Sequence, residues 1–269
     1  MTVHGNRWYD HATEKGGGPV SFLQKFYQLS YPEAVIRLLN GEQETMYEPI
    51  RQEKQRERQP FVLPPASKSM RRVYAYLLQQ RLISREVLDS FVRAKLIYES
   101  AELSKDGSKE YHNAIFIGND ENGVARHAHK RGLYSFGEGF KRNVAGCDAR
   151  YSFHCCGTSD QLYVFEAPID MLSFITLYPE EWQKHSYVAL CGVSDHALLW
   201  MLEQNPGLQR VTLCLDNDKA GIGASQQISE ALQERGYNQV EIFLPSQKDW
   251  NMELTEGPVP VQCEMTMTI

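Results

Sequence analysis

Residues 210–221 read Arg-Val-Thr-Leu-Cys-Leu-Asp-Asn-Asp-Lys-Ala-Gly, and this stretch decides the fold of the 269-residue chain. Its apolar first half predicts a buried strand, Arg210–Leu215. The acidic loop that follows has Gly221 and Gly223, which allow a tight turn before a helix that we predict over Ala224–Arg235. An apolar strand feeding an acidic loop and then a helix is typical of a parallel sheet with both faces covered.

The same alternation extends in both directions from this stretch. Further strands are predicted at Gln161–Glu166, Tyr187–Cys191 and Gln239–Leu244, and helices at Asp170–Leu177 and Asp195–Gln204. Strands that alternate with helices indicate an α/β fold, here a Rossmann-like central parallel sheet flanked by helices. We expect this fold to occupy residues 159–256.

Acidic residues follow three of these strands. They are Glu166 and Asp170, then Asp216 and Asp218, then Asp249 beside Lys248. Because chemistry in open α/β sheets collects at the carboxyl ends of the strands, we expect these side chains to meet. Carboxylates that share one rim repel one another unless a cation neutralises them, and Mg²⁺ takes such oxygen ligands together with water and phosphate.

Simpler interpretations of these residues stay open. An isolated Asp-x-Asp is more often a turn or a helix cap, and Glu166 could be an acid favoured by a helix N-terminus. The loop lacks the third ligand and the closing Glu of an EF-hand. What favours a site is that polar or acidic residues follow four successive strands in one register.

The charge is unevenly distributed. Net charge is -6, but residues 151–269 hold five basic and sixteen acidic residues, a net of -11, and residues 1–150 hold 23 basic and 18 acidic residues, a net of +5. The composition excludes a disordered or collagen-like chain, and no apolar run reaches the ~18 residues that span a bilayer. The six cysteines show no disulfide or zinc-ribbon spacing, so we expect a reducing, cytoplasmic location without a membrane partner.

The first 158 residues predict a smaller α+β region. Helices are expected within 19–40 and 69–98, and strands at Asn113–Gly118 and Gly123–Ala128. Alternation would place Arg126 and Lys130 on one face of the second strand as a phosphate track. Arg131, Lys141 and Arg142 complete the candidate nucleic-acid-binding set, although a solvated strand edge is the simpler alternative.

The C-terminal motifs resemble those of the toprim domain, the catalytic module of bacterial primases, topoisomerases and some nucleases. Glu166 matches the family's acidic residue after its first strand, with Asp170 at the companion position of primase-type members. Asp216, Asp218 and Gly221 match its Asp-x-Asp-x-x-Gly element, and Lys248-Asp249 resembles a later Lys-Asp stretch. The resemblance implies that the Asp pair and Glu166 hold Mg²⁺ or Mn²⁺ and that Glu166, Asp170, Lys248 and Asp249 are catalytic.

The rest of the chain resembles primase-like proteins as well. Residues 1–45 are similar to the end of the primase zinc-finger domain, through Trp8-Tyr9-Asp10-His11, Gly16–Gly18 and Ser30–Val35. No Cys precedes Cys147, so we expect a remnant that binds no zinc. Residues 69–158 resemble the domain of unknown function that precedes toprim in proteins of Gram-positive mobile elements. A linker at 46–68 and a flexible tail at 257–269 complete the expected organisation.

The function implied by these resemblances is primase-like, Mg²⁺-dependent nucleotidyl transfer on DNA, that is, primer synthesis for a mobile element such as a conjugative transposon. Its partners would be single-stranded or unwound DNA, nucleotides, and a relaxase or helicase of the same element. Two alternatives stay open: a toprim nuclease, and a non-catalytic nucleic-acid-binding accessory of a conjugative element.

Overall fold

A computed structural model describes residues 1–4, 7–11, 15–39, 60–104, 106–134, 139–192 and 194–259. The chain divides into two units, Met1–Arg58 and Gln59–Ile269. Most of the predicted linker and residues 260–269 of the predicted tail lie outside the described residues. The boundaries between the five predicted segments therefore stay predictions.

The first unit is a small antiparallel sheet followed by two helices. Its elements are β1 (Thr2–His4), β2 (Arg7–Asp10), β3 (Lys15–Gly17), α1 (Pro19–Tyr27) and α2 (Tyr31–Leu39). The buried Trp8 of β2 packs edge-on against Phe22 and Phe26 of α1, with ring centroids 6.3 and 5.3 Å apart. The helices expected within 19–40 are confirmed, and the zinc-finger remnant stays a prediction.

The second unit begins with helices and an antiparallel sheet, which we call the accessory region (residues 60–153). It contains α3 (Arg71–Ala75), a π-helical turn at Tyr76–Gln80, α4 (Arg85–Arg93), β4 (Ile97–Leu103), β5 (Glu110–Asn119), β6 (Ala125–Gly132) and β7 (Lys141–Asn143), with the strands in the order β4-β5-β6-β7. The α+β prediction is confirmed. The helix predicted through residue 98 was wrong at its end, because Ile97 and Tyr98 pair with β5.

The second sheet belongs to the C-terminal region (residues 154–256). Its elements are β8 (His154–Cys155), β9 (Gln161–Phe165), α5 (Pro168–Leu177), β10 (Ser186–Ala189), α6 (His196–Gln204), β11 (Arg210–Leu213), α7 (Lys219–Glu234), β12 (Gln239–Ile242) and α8 (Trp250–Glu256). The strand order is β12-β11-β9-β10-β8, parallel except for β8, which runs antiparallel to β10. This confirms the predicted parallel sheet, while α8 was not anticipated.

This sheet order places a topological switch point beside β9. The chain leaves β9 for β10 on one side and then crosses to β11 on the other, so the loops after β9 and β11 diverge at the carboxyl ends of these strands. Open α/β sheets bind ligands in such a crevice. Glu166 follows β9 and Asp216 follows β11, which places both at the switch point.

Side chains of β9 alternate between two hydrophobic cores. Leu162 and Val164 belong to the core that α6 and α7 cover, whereas Phe165 belongs to the core that contains α5. The second core also includes Phe91 of α4, whose ring stacks on that of Trp182 at 5.8 Å. Because the accessory and C-terminal regions share this core, their facing surfaces are held in a fixed relation.

Candidate active site

A cavity of about 200 Å³ lies at the carboxyl ends of β9 and β11. The C-terminal region lines it with four acidic side chains, which we call the carboxylate wall: Glu166, Asp170, Asp216 and Asp249. The accessory region lines it with three cationic side chains, which we call the basic wall: Arg81, Arg131 and Lys141. Lys248 also lines the cavity, beside Asp249. The expected meeting of strand-end residues is therefore observed for Glu166, Asp170, Asp216, Lys248 and Asp249.

Asp216 carries the clearest electrostatic perturbation of the carboxylate wall. Burial, followed by the negative charges of Glu166, Asp249 and Asp218, raises its pKa to about 7, and Lys248 opposes this rise. Its Oδ1 atom is buried without a hydrogen-bond partner among the described residues. A buried, partnerless carboxylate oxygen beside other carboxylates calls for a proton or a cation.

Asp170 lies deeper in the same wall. It stands in the first turn of α5 and is only 8% exposed. Burial raises its pKa well above the usual range, Asp216 and Asp249 raise it further, and a hydrogen bond from the backbone N–H of Asn251 opposes the rise. Burial and the neighbouring negative charges therefore favour the protonated form of Asp170.

Asp218 has the opposite character. It is the N-cap of α7, where its Oδ1 accepts hydrogen bonds from the backbone N–H groups of Ala220 at 2.9 Å and Gly221 at 3.0 Å. These bonds lower its pKa. Asp218 is not among the described residues that line the 200 Å³ cavity. The sequence left open that Asp218 is a helix cap, and its Oδ1 atom has that role. Only Oδ2 is left for a metal ion.

Close packing fixes the loop between the two aspartates. Asn217 donates its backbone N–H to the Lys248 carbonyl at 2.8 Å and its side-chain amide to the Pro245 carbonyl at 3.0 Å. A Cβ atom on Gly221 would come within 2.1 Å of the Asp216 carbonyl oxygen. Glycine is therefore required there, and it lets α7 begin directly against the acidic loop.

The residues present fit a metal ion of the Mg²⁺ type. Within the described ranges, no three His, Cys, Asp or Glu side chains are grouped tightly enough to enclose an ion. Mg²⁺ usually binds through one or two carboxylates and keeps water and phosphate oxygens as its other ligands. The partnerless Oδ1 of Asp216, with Glu166 lining the same cavity, meets that requirement.

The basic wall contains one residue that sequence reasoning missed, Arg81, which Tyr76 and Asn251 hold in place. Tyr76 accepts hydrogen bonds at its hydroxyl from Nε of Arg81 at 2.8 Å and from Nε of Arg131 at 3.0 Å. Asn251 of α8 accepts a bond from Nη1 of Arg81 at 3.0 Å and donates its side-chain amide to the Arg81 carbonyl at 2.9 Å. Arg81 lies 85 residues before Glu166 in a polar stretch, and nothing in its sequence neighbourhood marks it.

The predicted phosphate track, Arg126 and Lys130, occupies one face of β6, and neither residue is among the described residues that line the cavity. Ala128, which lies between Arg126 and Lys130 on that face, is fully buried against Ile115 and Ile117. Arg126 pairs with Asp120 at 2.7 Å, and Lys130 pairs with Glu102 at 2.7 Å. The opposite face carries Arg131 into the cavity. Because side chains alternate along a strand, a shift of one residue exchanges the two faces.

A second, larger cavity of about 650 Å³ shares residues with the first. Its lining includes Lys141 and Glu166, which both cavities have in common, together with Arg142 and Lys219. Three of the five predicted nucleic-acid-binding residues, Arg131, Lys141 and Arg142, therefore line one or both cavities. Arg126 and Lys130 are not among the described lining residues of either.

Fold and site together define a toprim domain at the C-terminus, preceded by a second module. Residues 163–254 match the family model described as Toprim-like. Residues 75–159 match the family model described as a protein of unknown function, DUF3991. The recognition of both modules from sequence is confirmed.

Individual proteins resemble this chain over most of its length. An uncharacterized protein of Bacillus anthracis, pXO2-78, is 24% identical over 273 residues, which cover 92% of this chain and 76% of the relative. The primase fragment of the bacteriophage T7 primase-helicase protein superposes with a TM-score of 0.51 and 19% identity, over 67% of this chain and 69% of that one. The E. coli primase catalytic core gives a TM-score of 0.49 and 15% identity over 69% of each chain. The T7 fragment shows that the fold is primase-like.

Proposed function

We propose that this protein is a primase-like nucleotidyltransferase that synthesises primers on single-stranded or unwound DNA with Mg²⁺ or Mn²⁺. The observation that carries the proposal is the cavity in which the carboxylate wall of a toprim domain faces the basic wall. Phosphoryl transfer consists largely of positioning and charge stabilisation, and these two walls supply both.

Each cavity residue takes a role that its environment supports. Asp216, with its partnerless oxygen, and Asp218, through its Oδ2, hold the metal ion together with Glu166, which alternatively acts as general base. A divalent ion bound there would neutralise the negative charge of the phosphate. Asp170 is a catalytic group of the same wall, buried beside Asp216, and Lys248 and Asp249 complete the site. Lys141 and Arg142 contact DNA or nucleotide phosphates.

The cellular setting is part of the same proposal. The structurally similar T7 protein is a primase-helicase, so a helicase is a natural partner, and a relaxase of the same mobile element is the other candidate. The described cysteines are all free, which suits a cytoplasmic location. No helix in the described part of the chain is long and apolar enough to cross a membrane.

One assay tests the proposal. The protein is incubated with single-stranded template, NTPs or dNTPs, and Mg²⁺ or Mn²⁺, beside the variants Glu166→Gln and Asp216→Asn. We expect template-dependent products in the wild type and a loss of at least about 100-fold in both variants, because charge stabilisation at the reacting phosphate would be removed.

Asp160→Asn is the matched control. Asp160 pairs with Arg210 at 2.8 Å at the amino end of the sheet, opposite the carboxylate wall, and this variant should retain activity. Template cleavage that is lost in the Glu166 and Asp216 variants would instead establish a nuclease. DNA binding without any turnover, unaffected by the variants, would leave a non-catalytic accessory and would contradict both enzymatic functions.

A further inference from the structure

The Tyr76 hydroxyl joins two guanidinium groups from distant parts of the accessory region. Arg81 follows the π-helical turn that contains Tyr76. Arg131 lies on β6, 55 residues after Tyr76 in the chain. Both arginines donate a hydrogen bond to the Tyr76 hydroxyl through Nε. The Arg81 guanidinium also lies over the Tyr76 ring, 5.1 Å from its centroid. One phenol thus orients two charged side chains.

The π-helical turn makes this contact possible. The backbone N–H of Arg81 bonds to the Tyr76 carbonyl at 3.1 Å, five residues back instead of four. In a regular α-helix, residues five apart point in directions about 140° apart, whereas the wider π turn brings them closer to one face. Such turns are energetically costly and are frequent at functional sites.

Neither guanidinium has a carboxylate partner among the residues that the structure describes. Among the described residues, no carboxylate forms an ion pair with Arg81 or Arg131, although four line the same cavity. No described acceptor hydrogen-bonds to the Nη groups of Arg131. By contrast, Arg126 and Lys130 on the opposite face of β6 both pair with acids. An oriented, unpaired guanidinium matches the two oxygens of a phosphate group.

We propose that Tyr76 is a positioning residue that holds Arg81 and Arg131 as a two-pronged clamp for phosphate oxygens opposite the carboxylate wall. The phosphates come either from the incoming nucleotide or from the DNA backbone. In its catalytic form this inference rests on the proposed function, while phosphate binding itself does not require turnover.

The test compares Tyr76→Phe with Tyr74→Phe. The first substitution removes the shared acceptor and keeps the buried ring. The second removes a Tyr hydroxyl of the same helix, which donates to Asp89 at 2.7 Å outside both cavities. The KM for nucleotide and kcat are measured by primer synthesis, and the Kd for a single-stranded oligonucleotide is measured by anisotropy in EDTA.

We expect Tyr76→Phe to raise either the nucleotide KM or the oligonucleotide Kd about tenfold, with kcat changed less than twofold, because hydrogen bonds to charged groups are worth about that factor. The constant that changes identifies the source of the phosphate. Tyr74→Phe should change neither constant.

Arg131→Lys keeps the charge, cannot reproduce the forked geometry, and serves as a second probe if Tyr76→Phe folds poorly. It should weaken the same constant, and the losses in the double variant should be less than additive, because part of the effect of Tyr76→Phe is exerted through Arg131. Additive losses, or equal effects of Tyr76→Phe and Tyr74→Phe, would overturn the inference. So would a wild-type protein that binds neither ligand. Oligonucleotide binding that weakens in Tyr76→Phe while the wild type shows no turnover would support the clamp and contradict the primase.

Discussion

The carboxylate wall and the basic wall face each other across one cavity, yet the chain builds them by different means. The carboxylate wall comes from loops that follow parallel strands, with the α8 N-cap Asp249 beside them. The basic wall comes from a π-helical turn, the register of β6 and the edge strand β7. Strand ends converge by topology alone, whereas the cations face the acids only because two sheets share a core. The first wall is therefore a local property of its sheet, and the second is a property of the whole unit.

The largest expected effect comes from disturbing the loop beneath the carboxylate wall. Gly221→Ala would place a Cβ atom 2.1 Å from the Asp216 carbonyl oxygen, and backbone cannot yield as a flexible side chain can. We expect the free energy of unfolding to fall by about 3 kcal/mol, as for overpacked cores. Urea unfolding measures this change.

Gly223→Ala is the matched control for this substitution. Gly223 lies two residues further along α7, and nothing stands within 4 Å of the position of its Cβ. Alanine is the better helix former, so this variant should gain up to about 1 kcal/mol. If the free energy of unfolding fell equally in both variants, the close approach to the Asp216 carbonyl would not explain why glycine is needed at position 221.

The second prediction concerns the charge of the carboxylate wall. The pKa of Asp216 is about 7 in the folded protein, above its usual value of 3.8. The folded state therefore binds this proton more tightly, and stability is greatest below about pH 4 and falls as the pH rises through about 7. In EDTA we expect this residue to cost about 2 kcal/mol at pH 8, allowing for solvent screening.

Asp216→Asn isolates that contribution. The variant should be more stable than the wild type at pH 8 and should lose its advantage near pH 4, while Mg²⁺ should stabilise only the wild type. Urea unfolding at several pH values measures both effects. Parallel curves for the two proteins across this range would show that Asp216 is not perturbed by its neighbours.

The third and smallest effect compares the two faces of β6. If the clamp holds DNA phosphates, Arg131→Ala should weaken the binding of a single-stranded oligonucleotide about tenfold and reduce the salt slope by about 1, because one phosphate contact is lost; if it holds nucleotide phosphates, the nucleotide KM should rise instead. Lys130→Ala should change affinity by less than twofold, since Lys130 is held by Glu102. Anisotropy titrations at several salt concentrations measure both, and equal losses would contradict the difference between the two faces of β6.

The sequence predicted those parts of the site that depend on one strand and its own loop. Apolar runs identified β9 and β11, and the acids that follow them had to lie at one edge because the strands are parallel. The loop Asp216-Asn217-Asp218 was also recognisable, but its two acids differ in ways that no spacing reveals. Asp218 caps a helix and stays ionised, whereas Asp216 is buried among like charges.

The predictions failed where a residue's role depends on a partner far away in sequence. Ile97 and Tyr98 continue a helical pattern, and only pairing with β5 makes them a strand. Arg126 and Arg131 belong to the same basic run, and the burial of Ala128 against Ile115 and Ile117 decides which of the two faces the cavity.

The sequence by itself thus determined the parallel sheet and the order of its strand-end acids, since hydrophobic periodicity and short loops are local properties, and the resemblance of its acidic motifs to those of the toprim family identified the domain. The tertiary structure alone decided which cations oppose those acids and which aspartate is perturbed. Strand register, the π-helical turn at Tyr76 and a core shared by two sheets all depend on packing between residues that are distant in the chain, and no local pattern contains that information.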